Sequence, residues 1–356
     1  MRLVFWNLQG RNGCYERKPI DESAEKRRRS KRIKTGKTMG DKVQTSTAVR
    51  GRRKLNEAGL ASINNFAQKY AKLGAEGAIT EFEELEKEAE TMEKPECKAF
   101  KENSSRNRDK KNICPDQTRV VLTCNVPPGT DYYNANWIKV PSLDRPFIAA
   151  QSPVESTIND FWRMVFQENC STVLLTGTPK ENDSPDFWPQ KAGEHCNYKD
   201  IFVNNRRVDS YADFSVYKLE LLPDACSNSI FVNLVVFPGW LDKDRPKMHT
   251  MAFLRCWKQF PGGMQASAPI VVASKLGRGR TGAVLLLHAA NVAVTKGQEI
   301  CLKTILKEFR KQRPGLVATP EQYCWVIMNV LCYYSAKIMD IRDYASAFHE
   351  SYAKLK

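Results

Sequence analysis

The chain has 356 residues, 42% of them apolar, which is enough to bury one large core or two modest ones and excludes disorder throughout. Its formal net charge of +15 sits almost wholly at the start: residues 1–54 hold 17 Lys and Arg against 5 Asp and Glu, leaving 38 against 35 for the rest. The folded part is therefore nearly neutral, and a nucleic-acid surface running along the whole chain is excluded.

In chain order, residues 1–57 are expected to form a disordered basic tail, rich in Lys, Arg, Ser, Thr and Gly and poor in residues able to anchor it. Its densest run, "KRRRSKRIKTGK" (Lys26–Lys37), reads as a solvated arm, as a contact for an import receptor, or as a polyanion contact; no aromatic residues interleave its charges as a base-stacking surface requires. The opening "MRLVFWNLQG" is too short for a secretory core, and no uncharged apolar run of about 18 residues occurs, so no membrane span is expected. Eleven cysteines without C-x-x-C spacing argue for reduced thiols in an intracellular, cytoplasmic protein, with nuclear entry left open by the basic run. No metal or cofactor is expected.

Two amphipathic helices follow within residues 58–100. Ile63, Phe66, Tyr70 and Leu73 share one helical face, and after a break at Gly74 to Gly77 so do Ile79, Phe82, Leu85 and Met92. The charged loop "ENSSRNRDKKN" (Glu102–Asn112) leads to a strand-rich middle, in which "RVVLTC", "WIKV", "FIAA", "TVLLT", "IFV" and "IFVNLVVF" are β-branched or aromatic runs bounded by turn residues. The last third is helical: Leu302, Ile305, Leu306 and Phe309 lie in one helix, and Thr319-Pro320-Glu321-Gln322 starts another with a capping residue, a first-turn proline and Gln three places after the cap. This pattern predicts one α+β domain, 58–345, with residues 346–356 as a C-terminal end.

One stretch carries chemistry. "PIVVASKLGRGRTGAVLLL" (Pro269–Leu287) reads as a strand ending at Val272, a basic loop from Ser274 to Arg280, and a helix beginning at Thr281 or Gly282. Such a loop curls its N–H groups around one point and aims the positive end of a helix at it, which makes a cradle for a tetrahedral oxyanion. Gly277 and Gly279 permit the curl, Arg280 can supply a forked contact, and Lys275 and Arg278 add charge. A plain strand-to-helix turn is the bland alternative.

The order Ala273-Ser274-Lys275-Leu276-Gly277-Arg278-Gly279-Arg280-Thr281-Gly282 resembles the signature H-C-x-x-G-x-G-R-[ST]-G of the tyrosine-specific protein phosphatases. Further landmarks appear in the family's order. "KNICPDQTRVVL" is similar to its phosphotyrosine-recognition loop, "DYYNANWI" to D-Y-I-N-A-x-x-I, and "FIAAQSPVESTINDFWRMVFQENCSTVLLT" to the Y-I-A-x-Q-G-P segment through F-W-R-M-V-W. "DFWP" is similar to Y-W-P, "WLDKDRP" to the mobile W-P-D loop, and "RPGLVATPEQY" to R-x-G-M-V-Q-T-x-x-Q-Y. The resemblance spans about Phe66 to Tyr334 and implies the phosphatase fold, a twisted mixed sheet flanked by helices with the phosphate loop between a strand and a helix.

It also implies roles. The family's nucleophilic cysteine corresponds to Ser274, its general acid to Asp242, its phosphate-binding arginine to Arg280, and its water-positioning glutamine to Ala318. The loop Ser274, Lys275, Leu276, Gly277, Arg278, Gly279, Arg280 would bind phosphate. Two of the four catalytic positions are thus replaced, the histidine before the nucleophile is Ala273, and Leu241 stands for the W-P-D proline. The recognition tyrosine corresponds to Cys114 in a shortened loop, Asp116 matches either of two family aspartates, and Glu181 is a candidate for the glutamate that steadies the arginine. A thiol in a positive loop ionises near neutral pH, whereas an alcohol needs an adjacent base. The expectation is a pseudophosphatase that binds a phosphorylated or acidic partner. An active or weakly active phosphatase, and a scaffold with a vestigial pocket whose basic tail carries the interaction, are the alternatives.

Overall fold

The structure, a computed structural model, describes residues 55–224, 226–240, 253 and 267–355. The basic run Lys26–Lys37 lies outside the described residues. The frame is a nine-stranded mixed sheet in the order β1-β2-β3-β9-β4-β8-β7-β6-β5. Its strands are β1 (Arg119–Val121), β2 (Tyr132–Ile138), β3 (Phe147–Gln151), β4 (Thr172–Thr176), β5 (His195–Tyr198), β6 (Ile201–Ser210), β7 (Ser215–Pro223), β8 (Ile230–Phe237) and β9 (Ile270–Ser274). Four central strands, β3, β9, β4 and β8, run parallel, and antiparallel ribbons extend both edges. Parallel strands buried on both faces need continuous apolar runs, which is why "TVLLT" and "IVVAS" are buried at every position.

Helices cover both faces. Helix α1 (Glu57–Glu90), α4 (Gly279–Lys296), α5 (Leu302–Gln312), α6 (Pro320–Ser335) and α7 (Arg342–Lys354) pack into the larger core, and α3 (Ile158–Gln167) packs into the second; α2 (Lys98–Glu102) is a short turn beside the recognition segment. Helix α1 is kinked at Gly74, whose φ of +65° lies where a side chain is strained, so the expected break falls there and the halves on either side are helical. Two residues assigned to its buried faces are exposed, Leu73 beside the kink and Met92 beyond the helix end. A boundary after residue 345 would cut through α7; Phe348 is fully buried, and Ser351 Oγ accepts the Ala75 amide at 2.8 Å just past the kink, so this helix is part of the core. No helix among the described residues is long and apolar enough to cross a membrane.

The kink is clamped by a half-buried carboxylate. Glu81 accepts hydrogen bonds from Lys69 Nζ at 2.7 Å, Tyr70 Oη at 2.7 Å and Tyr323 Oη at 2.5 Å, joining both halves of α1 to α6. Burial pushes the carboxyl up, but the bonds donated by Lys69, Tyr323 and Tyr70 outweigh it and hold Glu81 below the ordinary carboxylate range. A depressed folded-state value contributes stability that is present above the unfolded value, near pH 4.3, and is lost as pH falls through the folded one. Glu81→Ala should therefore cost about 2–4 kcal/mol at pH 7, since two buried phenols lose their acceptor. The difference from wild type in thermal melts should shrink between pH 5 and pH 3; a pH-independent gap would remove the charge from the account.

Candidate functional site

The loop of Ser274 to Arg278 leaves the C-terminal end of β9, between β3 and β4, and runs straight into α4. This is the crevice beyond the carboxyl ends of parallel strands where α/β sheets place ligands. The strand continues to Ser274, two residues past its expected end, because Ser274 still pairs with Gln151, and the helix starts at Gly279. Both extensions tighten the loop.

Arg313, fully buried, holds the loop from behind. Its Nε donates to the Gly277 carbonyl at 2.7 Å and one Nη to the Leu276 carbonyl at 3.0 Å, while its other bonds go to Asn134 and Asn136 at 2.8 and 2.6 Å. Asn112 Nδ2 also donates to the Leu276 carbonyl, at 2.6 Å. In a planar trans peptide the N–H points away from its carbonyl, so fixing these two oxygens backwards turns the N–H groups of Gly277 and Arg278 into the loop. Three glycines make room. A Cβ on Gly277 (φ +62°) would stand 2.3 Å from the Ala150 backbone, one on Gly279 2.7 Å from the Gln322 amide, and one on Gly282 2.2 Å from the Val317 nitrogen.

Ser274 lies at the floor. Its Oγ is 2.9 Å from Thr281 Oγ1 and accepts the Gly277 amide at 3.1 Å. No histidine or carboxylate hydrogen-bonds to it among the described residues. His288 lies further along α4 with Nε2 on Asp144 at 2.8 Å, and His195 faces Phe202 on the sheet edge. Arg280 is fully buried: one terminal nitrogen donates to the Thr176 and Trp240 carbonyls at 3.0 and 2.6 Å, the other to Asn182 Oδ1 at 2.9 Å. Among the described residues, the side-chain acceptor seen for it is Asn182. The neighbouring Glu181 is turned to the amides of Thr178 and Gly239, at 2.7 and 2.9 Å, and so braces the turn before Trp240.

Ala318 is half-buried beside the loop, and its amide donates to Gln322 Oε1 at 2.9 Å. The side chain of Gln322, predicted only as part of a helix cap, is therefore the amide packed against Gly279. Val317 just before it has φ of +57°, a strained value for a β-branched residue, and Arg310 holds its carbonyl at 2.7 Å. Asp242 and Leu241 lie outside the described residues. Lys275 and Arg278 are both half-buried, Lys275 with Nζ 3.7 Å from Asp183 Oδ2 and Arg278 with its guanidinium against Gly315.

Cys114 and Asp116, expected in the recognition loop, are both engaged with the protein's own structure. Cys114 is fully buried against Phe100 and Tyr132, with Sγ 3.6 Å from the Ala135 carbonyl, and burial pushes its thiol up despite Arg313 nearby. It offers neither an aromatic wall nor a thiolate. Asp116 accepts the amides of Lys98 and Ala99 at 2.5 and 3.2 Å, so its carboxylate caps helix α2.

The protein-tyrosine phosphatase family model matches residues 103–332. A putative tyrosine-protein phosphatase of Caenorhabditis elegans is 32% identical over 241 residues, covering 67% of this chain. Receptor-type tyrosine-protein phosphatase epsilon of Rattus norvegicus is 30% identical over 283 residues, covering 71%. The matches span 59% and 40% of those two proteins' own lengths. A solved structure described as the structural basis of the PTPN18 fingerprint on distinct HER2 tyrosine phosphorylation sites shares the fold, with a TM-score of 0.68 at 22% identity over 77% of this chain and 99% of that one. Loop, sheet order and family match coincide on the same residues: the chain belongs to the protein-tyrosine phosphatase family.

Proposed function

We propose that this is a non-catalytic member of the family that binds phosphorylated or acidic protein partners through the β9–α4 loop. The observation that carries the reading is Ser274: its hydroxyl is hydrogen-bonded to Thr281 and Gly277, with no base among the described residues to take its proton. The positive end of α4 can bring a thiol into range, but an alcohol starts far too high for the same field to ionise it. Loss of a nucleophile lowers turnover by about 10⁶, leaving only binding and electrostatic help. Ala318 further lacks the amide with which the family positions water.

Anion binding depends on different atoms. Backbone N–H groups turned inward by Arg313 and Asn112, the helix end and the buried Arg280 support it whatever side chain stands at 274. Titration calorimetry should therefore show tungstate and a phosphotyrosine peptide binding to the full chain, while p-nitrophenyl phosphate is not hydrolysed above background from pH 5 to 8. Turnover that survives repurification and disappears in Ser274→Ala would overturn the non-catalytic reading. Absence of heat with both ligands would overturn the binding reading.

A further inference from the structure

Residue 274 carries a hydroxyl, so an oxidant finds no thiol at the floor of the phosphate loop, and the oxidisable groups of this chain lie elsewhere. Of the nine cysteines among the described residues, Cys226 alone is exposed. It lies in the β7–β8 turn, where its amide donates to the Pro223 carbonyl at 3.2 Å. Cys124, about a hundred positions earlier in the sequence, is half-buried in the β1–β2 connection.

Asp200, at the β5–β6 turn, ties the two segments together. Its carboxylate accepts a hydrogen bond from Asn125 Nδ2, next to Cys124, and its carbonyl accepts the Asp224 amide at 2.8 Å, two residues before Cys226. The two thiols lie within electrostatic reach of one another: burial pushes the Cys124 thiol up, Arg163 opposes this, and Cys226 and Asp200 add to it. Helix α3 fixes the Cys124 backbone from both sides. The Cys124 amide donates to Gln167 Oε1 at 3.3 Å, and its carbonyl accepts Arg163 Nε at 2.8 Å. Arg163 is buried and paired with Asp160 at 2.9 Å. Disulfide closure needs Cα atoms about 4.4–6.8 Å apart. With the Cys124 side held, the adjustment falls on the turn, where Asp224, Ser227 and Asn228 are exposed like Cys226 itself.

We propose that Cys226 and Cys124 are a peroxide-sensitive modification site, closing into an intramolecular disulfide that straps the β7–β8 turn to the β1–β2 connection beside α3. The Cys226 thiolate, the one solvent reaches first, attacks an oxygen of hydrogen peroxide. The O–O bond breaks, the sulfur becomes a sulfenic acid, and the hydroxide released takes up the thiol's former proton as water. Cys124 then attacks that sulfur: an S–S bond forms, the S–O bond breaks, and the departing hydroxide takes the Cys124 proton as a second water. Two electrons pass from the sulfurs to the peroxide. The bridge closes a loop of about a hundred residues, and long closures restrict the unfolded chain most.

In the test, the full chain is treated with hydrogen peroxide, its remaining thiols are blocked with N-ethylmaleimide, and the unreduced digest is read by mass spectrometry. A peptide pair joining Cys124 to Cys226 is expected, released by dithiothreitol, together with a melting temperature about 5–10 °C above that of the reduced protein. In Cys124→Ser the sulfenic acid on Cys226 should persist and be trapped by dimedone. In Cys226→Ser, a surface change that folding tolerates, neither the bridge nor the rise in melting temperature should appear. Peroxide that leaves Cys226 unmodified, or a bridge from Cys226 to any other cysteine, would overturn the pairing. A Cys124–Cys226 link found only in a covalent dimer on a non-reducing gel would overturn the intramolecular strap.

Discussion

Gly277→Ala should abolish binding of tungstate and phosphotyrosine peptides and lower the melting temperature by roughly 6–12 °C. Two costs add. At φ +62° any side chain raises the backbone energy by about 1–2 kcal/mol, and the new Cβ would sit 2.3 Å from the carbon and oxygen of Ala150 and 2.6 Å from the nitrogen of Gln151. Those atoms are the backbone of β3, so no side chain can swing aside to relieve them. The loop must lift instead, and lifting it breaks the Gly277 and Leu276 carbonyls away from Arg313, which would leave the buried guanidinium only its bonds to Asn134 and Asn136 and its Nε unpaired. A total on the order of 3 kcal/mol or more follows. Gly193 provides the control: its φ is +86°, with open space around its Cβ position. Gly193→Ala should cost only about 1–2 kcal/mol and leave anion binding untouched. Equal effects at the two glycines would show that conformational strain alone, without close approach, explains Gly277.

Much of this site was legible because its parts are local. A strand, a glycine-spaced loop and a helix occupy one stretch of sequence, and the chemistry of Ser274 follows from its residue type alone. "TVLLT" and "IFVNLVVF" became β4 and β8 at their predicted limits: β4 is buried on both faces and needs an unbroken apolar run, and β8 becomes so in its second half, Leu234–Phe237. What stayed hidden depends on distant contacts. Arg313 is 36 residues from the Gly277 carbonyl it holds, and nothing in "RPGLV" announces that its guanidinium turns two peptides. Glu181 was a candidate partner for Arg280, yet among the described residues the side chain that accepts from it is Asn182, one residue on, where spacing could not decide between neighbours. Asp116 matched two family aspartates; its place is explained by two amides at the start of α2, a turn too short to recognise by periodicity. Strand β7 was missed because Lys218 and Glu220 interrupt its apolar residues on the solvent side, and α7 because Phe348 is its one fully buried residue.

Ser274→Cys should restore a reactive thiol without restoring an efficient enzyme. The sulfur would replace an oxygen that already accepts the Gly277 amide at 3.1 Å and lies 2.9 Å from Thr281 Oγ1, at the positive end of α4. These contacts favour a thiolate, so iodoacetamide should alkylate the variant at neutral pH faster than it alkylates the nine described cysteines of the wild type, all free thiols. Phosphoryl transfer to that sulfur breaks the bond from phosphorus to the phenolic oxygen and forms one to sulfur. Completing the cycle requires water to attack the phosphocysteine, and Ala318 has no side-chain amide to position it. Cys114, the residue that the resemblance aligns with the recognition tyrosine, is fully buried and offers a substrate ring no wall. The expected record with p-nitrophenyl phosphate is a burst of nitrophenol no larger than the enzyme concentration, followed by slow turnover. Adding Ala318→Gln should raise the slow phase by about 10–100-fold while leaving the burst unchanged, since it acts only on the second step. Fast, burst-free turnover in the single variant would show that the nucleophile was the only catalytic deficit, and that the losses at Ala273, Leu241 and Ala318 carry no weight.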